Sequence, residues 1–157
     1  MNPEKARDSL RQLFADYAAS IDDDRLEDWV DFFTEDAVYE IIPRENHERG
    51  LPITLLLCDG KDMIRDRVVS LREANIYNIH RDRHVVGEPR IMESDDGRYR
   101  TETSYALFQT NQDGESRIFS VGRYNALVSF AGGRPLIERL TVVTDTASVK
   151  TLLSTPI

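Results

Sequence analysis

Apolar residues recur at helical spacing only in the first half of the chain. Leu10, Leu13, Phe14, Tyr17, Ala18 and Ile21 fall at i, i+3, i+4, i+7, i+8 and i+11. That is one stripe of an amphipathic helix over roughly residues 4–20. Asp22, Asp23 and Asp24 then offer capping oxygens and favourable charge for a second helix. It carries Leu26, Trp29, Val30 and Phe33 on one side and is expected to end near Thr34. Residues 37–42 read as a strand stopped by Pro43, and 44–50 as a polar loop. Residues 53–58 are aliphatic and β-branched, which suits a short strand before the Asp59-Gly60 turn. Met63, Ile64, Val68 and Leu71 restore helical spacing and predict a third helix over about 60–74.

From His84 onward the period falls to two. Residues 84–92, 99–109, 115–130 and 135–143 are strand candidates. The breaks between them, Ser94-Asp95-Asp96-Gly97, Asn111-Gln112-Asp113-Gly114 and Ala131-Gly132-Gly133-Arg134, are hairpin chemistry. Helices first and a meander afterwards predict a segregated α+β fold. Its form is a curved antiparallel sheet with the N-terminal helices packed on one face, a cone with a cavity at its mouth. No repeat, linker or low-complexity segment divides the chain, so residues 1–157 read as a single domain.

Composition narrows the function classes. The chain has 157 residues, one Cys, three His and a net charge of −8. One Cys excludes an internal disulfide and any Rieske-type or Cys-rich zinc site, which need at least two thiolates. The acidic balance argues against a nucleic-acid or anionic-membrane surface. The longest strongly apolar run, around 53–58, is far short of the ~20 residues of a membrane span. The polar, charged start resembles no signal peptide, so a reducing cytoplasmic location is expected.

Tyr17, Asp22, Tyr39 and His84 are the candidate catalytic set. Acid–base chemistry on a small carbonyl compound needs a base near neutrality, an orienting carboxylate and a hydroxyl donor. The alternative is that Asp22 caps a helix, the tyrosines are core residues with polar tips, and His84 is a satisfied, half-buried histidine. His80, Asp82 and His84 share one strand face and are the ligand types of a non-haem iron triad. Arg81 and Arg83 in the same stretch oppose a dication, and His47 is the only other histidine. Cys58 follows three leucines and reads as a small buried hydrophobe. Arg65, Arg67, Arg72, Arg81, Arg83 and Arg90 make a basic middle in an acidic chain. Protein contacts and solvated intrachain pairs both fit that run.

The middle of the chain also resembles a known family. Residues 39–51 (YEIIPRENHERGL), 58–68 (CDGKDMIRDRV), 71–77 (LREANIY) and 83–87 (RHVVG) are similar to the small (β) subunits of aromatic-ring-hydroxylating dioxygenases. The opening Tyr17…Ile21-Asp22…Trp29…Phe32-Phe33-Thr34-Glu35-Asp36 and the segment from Asp145 to Ile157 fit as well. The branch acting on anthranilate, terephthalate and salicylate is the most similar. The resemblance implies a cone-shaped, nuclear-transport-factor-2-like fold and an α3β3 hexamer with a β trimer. It implies that a large (α) subunit carries the Rieske [2Fe-2S] cluster and the mononuclear iron. NADH electrons would arrive through a reductase, directly or by a ferredoxin. The small subunit would hold no cofactor or metal and have no catalytic residue. Arg44, Glu45, Asn46, His47, Arg81 and Arg83 are the expected subunit-contact residues. The same fold superfamily holds stand-alone dehydratases, isomerases and cyclases. In that reading Asp22 and His84 form the acid–base pair, with Tyr17 and Tyr39 in the cavity. The strands after Tyr99 contain no second histidine, which departs from the dehydratase pattern.

Overall fold

A computed structural model describes residues 2–74, 79–130 and 132–157. The N-terminal stripe forms α1 (Pro3–Asp22). Its start is fixed by Pro3 in the first turn and by Asn2, whose side chain accepts from the Glu4 N–H at 3.0 Å. A short α2 (Leu26–Val30) follows. Strand β1 (Phe33–Pro43) begins at Phe33, earlier than expected, so Phe33 and Thr34 belong to the sheet and not to a helix. The three aspartates do not cap α2 by a side-chain hydrogen bond. Asp22 closes α1, and Asp24 takes a left-handed turn with φ +56°.

The polar stretch after Pro43 is a short helix, α3 (Arg44–Glu48), rather than a loop. Two i,i+4 ion pairs brace it, Arg44–Glu48 at 2.8 Å and Glu45–Arg49 at 3.2 Å. Strand β2 (Leu56–Asp59) and helix α4 (Lys61–Glu73) follow the predicted order. Asn75, Ile76 and Tyr77, part of the family-like motif, lie outside the described residues. The predicted strand 84–92 is two strands, β3 (His80–Val86) and β4 (Arg90–Asp95), both paired with β5 (Arg98–Asn111). Gly87-Glu88-Pro89 breaks them, since proline supplies no ladder donor. Strands β6 (Ser116–Ser129) and β7 (Leu136–Thr144) complete the sheet. Between β4 and β5 the two tip residues Asp96 and Gly97 both have positive φ, +44° and +76°, the two-residue hairpin the Asp-Gly pair predicted.

Strand order is β2-β1-β7-β6-β5-β3, with β4 beside β5. Every pair is antiparallel except β1–β7, which is parallel, so the sheet is mixed. The long connection from β1 through α4 to the far edge makes this possible: β1 is laid down first and the meander returns to it last. Register shifts at Leu107/Phe108 and Leu127/Val128 bend the two longest strands. The concave face packs on α1, α2 and α4 around a single buried cluster that includes Leu10, Phe14, Trp29, Phe33, Ile64, Leu107, Tyr124 and Leu140.

One close approach is set by a glycine. A Cβ at Gly122 would lie 2.0 Å from the Val143 carbonyl oxygen of β7. Gly122→Ala should therefore push β6 from β7 and cost about 3 kcal/mol, the upper end of ordinary overpacking. Urea unfolding of the variant checks this, and an unchanged midpoint would show that the sheet yields freely there.

Candidate functional site

Asp22 stands at the last turn of α1 and reaches β3. Its Oδ1 is 2.6 Å from His84 Nδ1, and its Oδ2 accepts the His84 backbone N–H at 2.9 Å. The His84 side chain is fully buried, and its other ring nitrogen, Nε2, has no hydrogen-bond partner among the described residues. The strand's period of two explains the placement. His80, Asp82 and His84 face inward, while Arg81, Arg83 and Val85 face out.

His80 and Asp82 form a second histidine–carboxylate contact, Nε2 to Oδ1 at 3.4 Å. Thr155 donates to Asp82 Oδ2 at 2.8 Å. Burial pushes the Asp82 carboxyl up, but the neighbouring His80 ring and the hydrogen bond from Thr155 outweigh it, and it sits below the ordinary value. Each histidine is thus turned to its own carboxylate, not to a shared centre. Among the described residues no group of three or more His, Cys, Asp or Glu side chains could hold a metal ion. A Rieske cluster does not fit this chain. Its one thiol, Cys58, is buried, and burial holds it in the protonated form by raising its pKa.

Tyr17 and Tyr39 come together, but on a partner the sequence did not suggest. Both hydroxyls reach the main-chain oxygen of Ile157, Tyr17 at 2.8 Å and Tyr39 at 3.3 Å. The Ile157 N–H donates back to the Tyr39 hydroxyl at 3.0 Å. Ile157 is 2% exposed, so the cone is filled there by its own chain. The tyrosines belong to an aromatic cluster. Tyr17 meets Trp29, Phe33 and Tyr124 edge-on, and Tyr105 stacks on Tyr124 at 4.6 Å. Burial raises the pKa of Tyr17, Tyr39 and Tyr124 far above that of a free phenol. No periodicity rule links two tyrosines to a residue 118 or more positions away, so Ile157 was not legible as their partner.

Beside this interior, a groove of about 480 Å³ is lined by Asp22, Asp23, Asp24, His80, Asp82 and Thr155, with Arg81 and Arg83 at its rim. Arg83 lies 3.8 Å from Asp22 and is largely exposed. Most of the remaining basic middle is spent within the chain. Arg72 clamps Asp24 and Glu27 of the α2 region at 2.7 and 3.0 Å, and Arg67 donates to the Leu153 carbonyl at 2.6 Å.

The expected contact residues fall into two patches. Arg44, Glu45, Asn46 and His47 lie on α3, which packs against β1 and β7. Asn46 is partly committed, since its amide donates to the Ile53 carbonyl at 2.9 Å. Arg81 and Arg83 lie on β3, the far edge of the strand order, with β7, β6 and β5 between. The outer sheet face adds apolar residues that strand alternation alone did not single out. Arg83, Phe108 and Ile118 are paired across β3, β5 and β6, and Val85 and Ile118 are each more than half exposed.

Comparisons with known proteins agree with this architecture. Residues 5–141 match the model of the SnoaL-like domain. The chain is 43% identical over 141 residues to the anthranilate 1,2-dioxygenase small subunit of Burkholderia cepacia, covering 90% of this chain and 88% of that one. The chain belongs to the aromatic-ring-hydroxylating dioxygenase small-subunit family. A second relative is the subunit beta 2 of the terminal oxygenase component of terephthalate 1,2-dioxygenase from Comamonas sp., 34% identical over 91% of this chain and 93% of that one. Among solved structures, a beta subunit assigned to an aromatic-ring-hydroxylating dioxygenase of Novosphingobium aromaticivorans superposes with a TM-score of 0.91 at 40% identity, over 98% of both chains. The mixed curved sheet with N-terminal helices is therefore the fold of this family, as the resemblance implied. No helix among the described residues is long and apolar enough to cross a membrane.

Proposed function

We propose that this chain is the non-catalytic small subunit of a Rieske oxygenase acting on an aromatic carboxylate of the anthranilate or terephthalate type. The observation that carries the reading is the 43% identity to an anthranilate 1,2-dioxygenase small subunit along 90% of the chain. The chemistry would reside in a large subunit holding the [2Fe-2S] cluster and the mononuclear iron, supplied with NADH electrons by a reductase in the cytoplasm. The small subunit's task is assembly. Two exposed patches on separate parts of one fold suit a closed ring such as the trimer within an α3β3 hexamer, where each copy meets neighbours through unlike faces. The Arg81–Arg83 edge beside Phe108 and Ile118 combines exposed guanidinium groups with apolar area, the composition of a protein contact.

The test is co-expression with a large subunit bearing the cluster motif. The expected product is one complex with iron and ring-hydroxylating activity. Arg81→Glu with Arg83→Glu should reverse the charge of the edge and reduce co-purification of the large subunit about tenfold or more. Native mass and iron content measure it, and an unchanged complex removes that edge from the interface.

One observation favours a second reading, a dehydratase, isomerase or cyclase working alone. Asp22 and His84 have the spacing of an orienting carboxylate and its base, and Nε2 is left for a substrate. This reading requires turnover by the purified chain without iron. His84→Gln should then lower kcat about 10²–10⁴-fold. Normal hydroxylation by a complex carrying that substitution would end the case for His84.

A further inference from the structure

We propose that the two ends of the sheet are the two halves of one contact, in which the basic β3 edge of one copy docks on the acidic β2–α4 corner of the next. The inference deepens the assembly role proposed above and rests on it, naming a second copy of this chain as the occupant of each half.

Charge pairing on the outer sheet face sets the β3 edge apart. Arg90 and Arg123 share Glu102 at 3.3 and 3.4 Å. Arg98 meets Glu138 at 3.0 Å, and Arg139 meets Glu40 at 3.3 Å. Arg81 has no ion pair among the described residues, and Arg83 has only Asp22, at 3.8 Å. In a chain with 28 acidic and 20 basic residues, a cation left without a close carboxylate is the unusual case. Both guanidinium groups are exposed on one side of β3, with exposed Val85 two positions on and Phe108 and Ile118 in register beside Arg83. The strand is closed to strand addition at this point, because the His84 N–H is held by Asp22 and not left open. Recognition at this edge therefore falls to the side chains.

The complement stands at the other end of the strand order. Glu35 and Asp36 lie near the start of β1, Asp59 ends β2 opposite Val38, and Asp62 is in the first turn of α4. Lys61 is shared by Asp31 and Glu35, and Arg65 serves Asp62. Asp36 and Asp59 are exposed and have no ion pair among the described residues. Leu57 shares a face of β2 with Asp59, and Met63 Sδ accepts the Asp59 N–H at 3.3 Å. Both apolar side chains are nearly half exposed. Each half thus presents two uncommitted charges of one sign beside large apolar side chains, and the signs are opposite. Neither half suits itself, since like charges would face each other. Edge must meet corner, and such a heterologous contact repeats from copy to copy until a ring closes.

The experiment uses the intact chain alone at low salt, with mass read by light scattering and native mass spectrometry. The expected particle is larger than a dimer and dissociates as salt is raised, because exposed charges are screened. Arg81→Glu with Arg83→Glu should weaken self-association about tenfold or more, and so should Asp36→Lys with Asp59→Lys. All four changes in one chain should restore it, because the signs are exchanged but still opposite. Mixing the two double variants is a second route to opposite signs and should yield particles that neither forms alone. A natural chain that stays monomeric overturns the proposal, as does a loss that neither the fourfold variant nor the mixture restores. So does a reversed β3 edge that leaves self-association intact and lowers only capture of a co-expressed large subunit, which would give that edge to the large subunit. A chain that self-associates by these rules yet captures no large subunit supports the contact and ends the oxygenase reading instead.

Discussion

Asp22→Ala should destabilise this protein more than any other single side-chain truncation on its polar interior, by about 2–6 kcal/mol if two buried donors lose their acceptors at about 1–3 kcal/mol each. Asp22 is almost fully buried and accepts from both the backbone and the ring of His84. Removing it takes the acceptor from two largely buried donors, and it unties α1 from β3, the strand that carries the outer arginines. Against a typical domain stability of about 5–15 kcal/mol, that loss is a large fraction. Asp22→Asn is the informative companion. Its carboxamide keeps one acceptor for the His84 N–H and places an amide nitrogen by Nδ1, so it should recover a large part of the stability. Urea unfolding of the two variants measures the pair. Equal, small losses would show that the Asp22–His84 contact contributes little.

The same pair shows how far sequence reasoning reached. Asp22 and His84 were both picked out as chemistry-bearing, and the fold joins them because α1 ends where the inner face of β3 begins. The helical stripe on Leu10, Leu13, Phe14, Tyr17 and Ile21 was legible because burial on one face is a local, periodic property. So was the Asp96-Gly97 hairpin, whose positive φ values only a few residue types adopt readily. What escaped depended on distant partners. Phe33 follows a helical pattern, yet pairing with Ile137 of β7 draws it into a strand. The parallel β1–β7 ladder joins residues about 100 positions apart, and no local signal encodes it. Asp24 reads as helix-capping charge, but Arg72 of α4 claims it, together with Glu27. Tyr17 and Tyr39 stand together in the candidate set, and only the fold shows that both hydroxyls are taken by Ile157.

Alkaline unfolding should be unusually steep. Tyr17, Tyr39 and Tyr124 are fully buried, and Tyr105 nearly so; burial raises the pKa of all four above the ordinary 10.0. Two hydroxyls among them hold Ile157, and Tyr105 hydrogen-bonds Ser120 at 2.8 Å. The sign follows from proton counting. Above pH ~10 the unfolded chain sheds these protons while the folded chain keeps them, so the unfolded state binds fewer and stability falls as pH rises. The stabilising contribution is whole below the unfolded pKa and is lost as pH climbs toward the folded values. Each tyrosine contributes about 1.4 kcal/mol per pH unit in that window, so four approach about 5 kcal/mol per unit. The expected result is a thermal midpoint that is flat up to about pH 9 and collapses by about pH 11. Tyrosinate absorbance from these four should appear only together with the loss of far-ultraviolet helix signal. Tyrosinate growing in at pH ~10 while the fold persists would show that the phenols are solvated, and that the interior is open to water. Comparing the chain lacking Pro156 and Ile157 sharpens the measurement. With the interior unsealed, Tyr17 and Tyr39 should ionise nearer the ordinary phenol range while Tyr105 and Tyr124, stacked on each other at 4.6 Å, hold their protons. Two tyrosines shifting and two remaining would show that Ile157 shields the Tyr17 and Tyr39 hydroxyls.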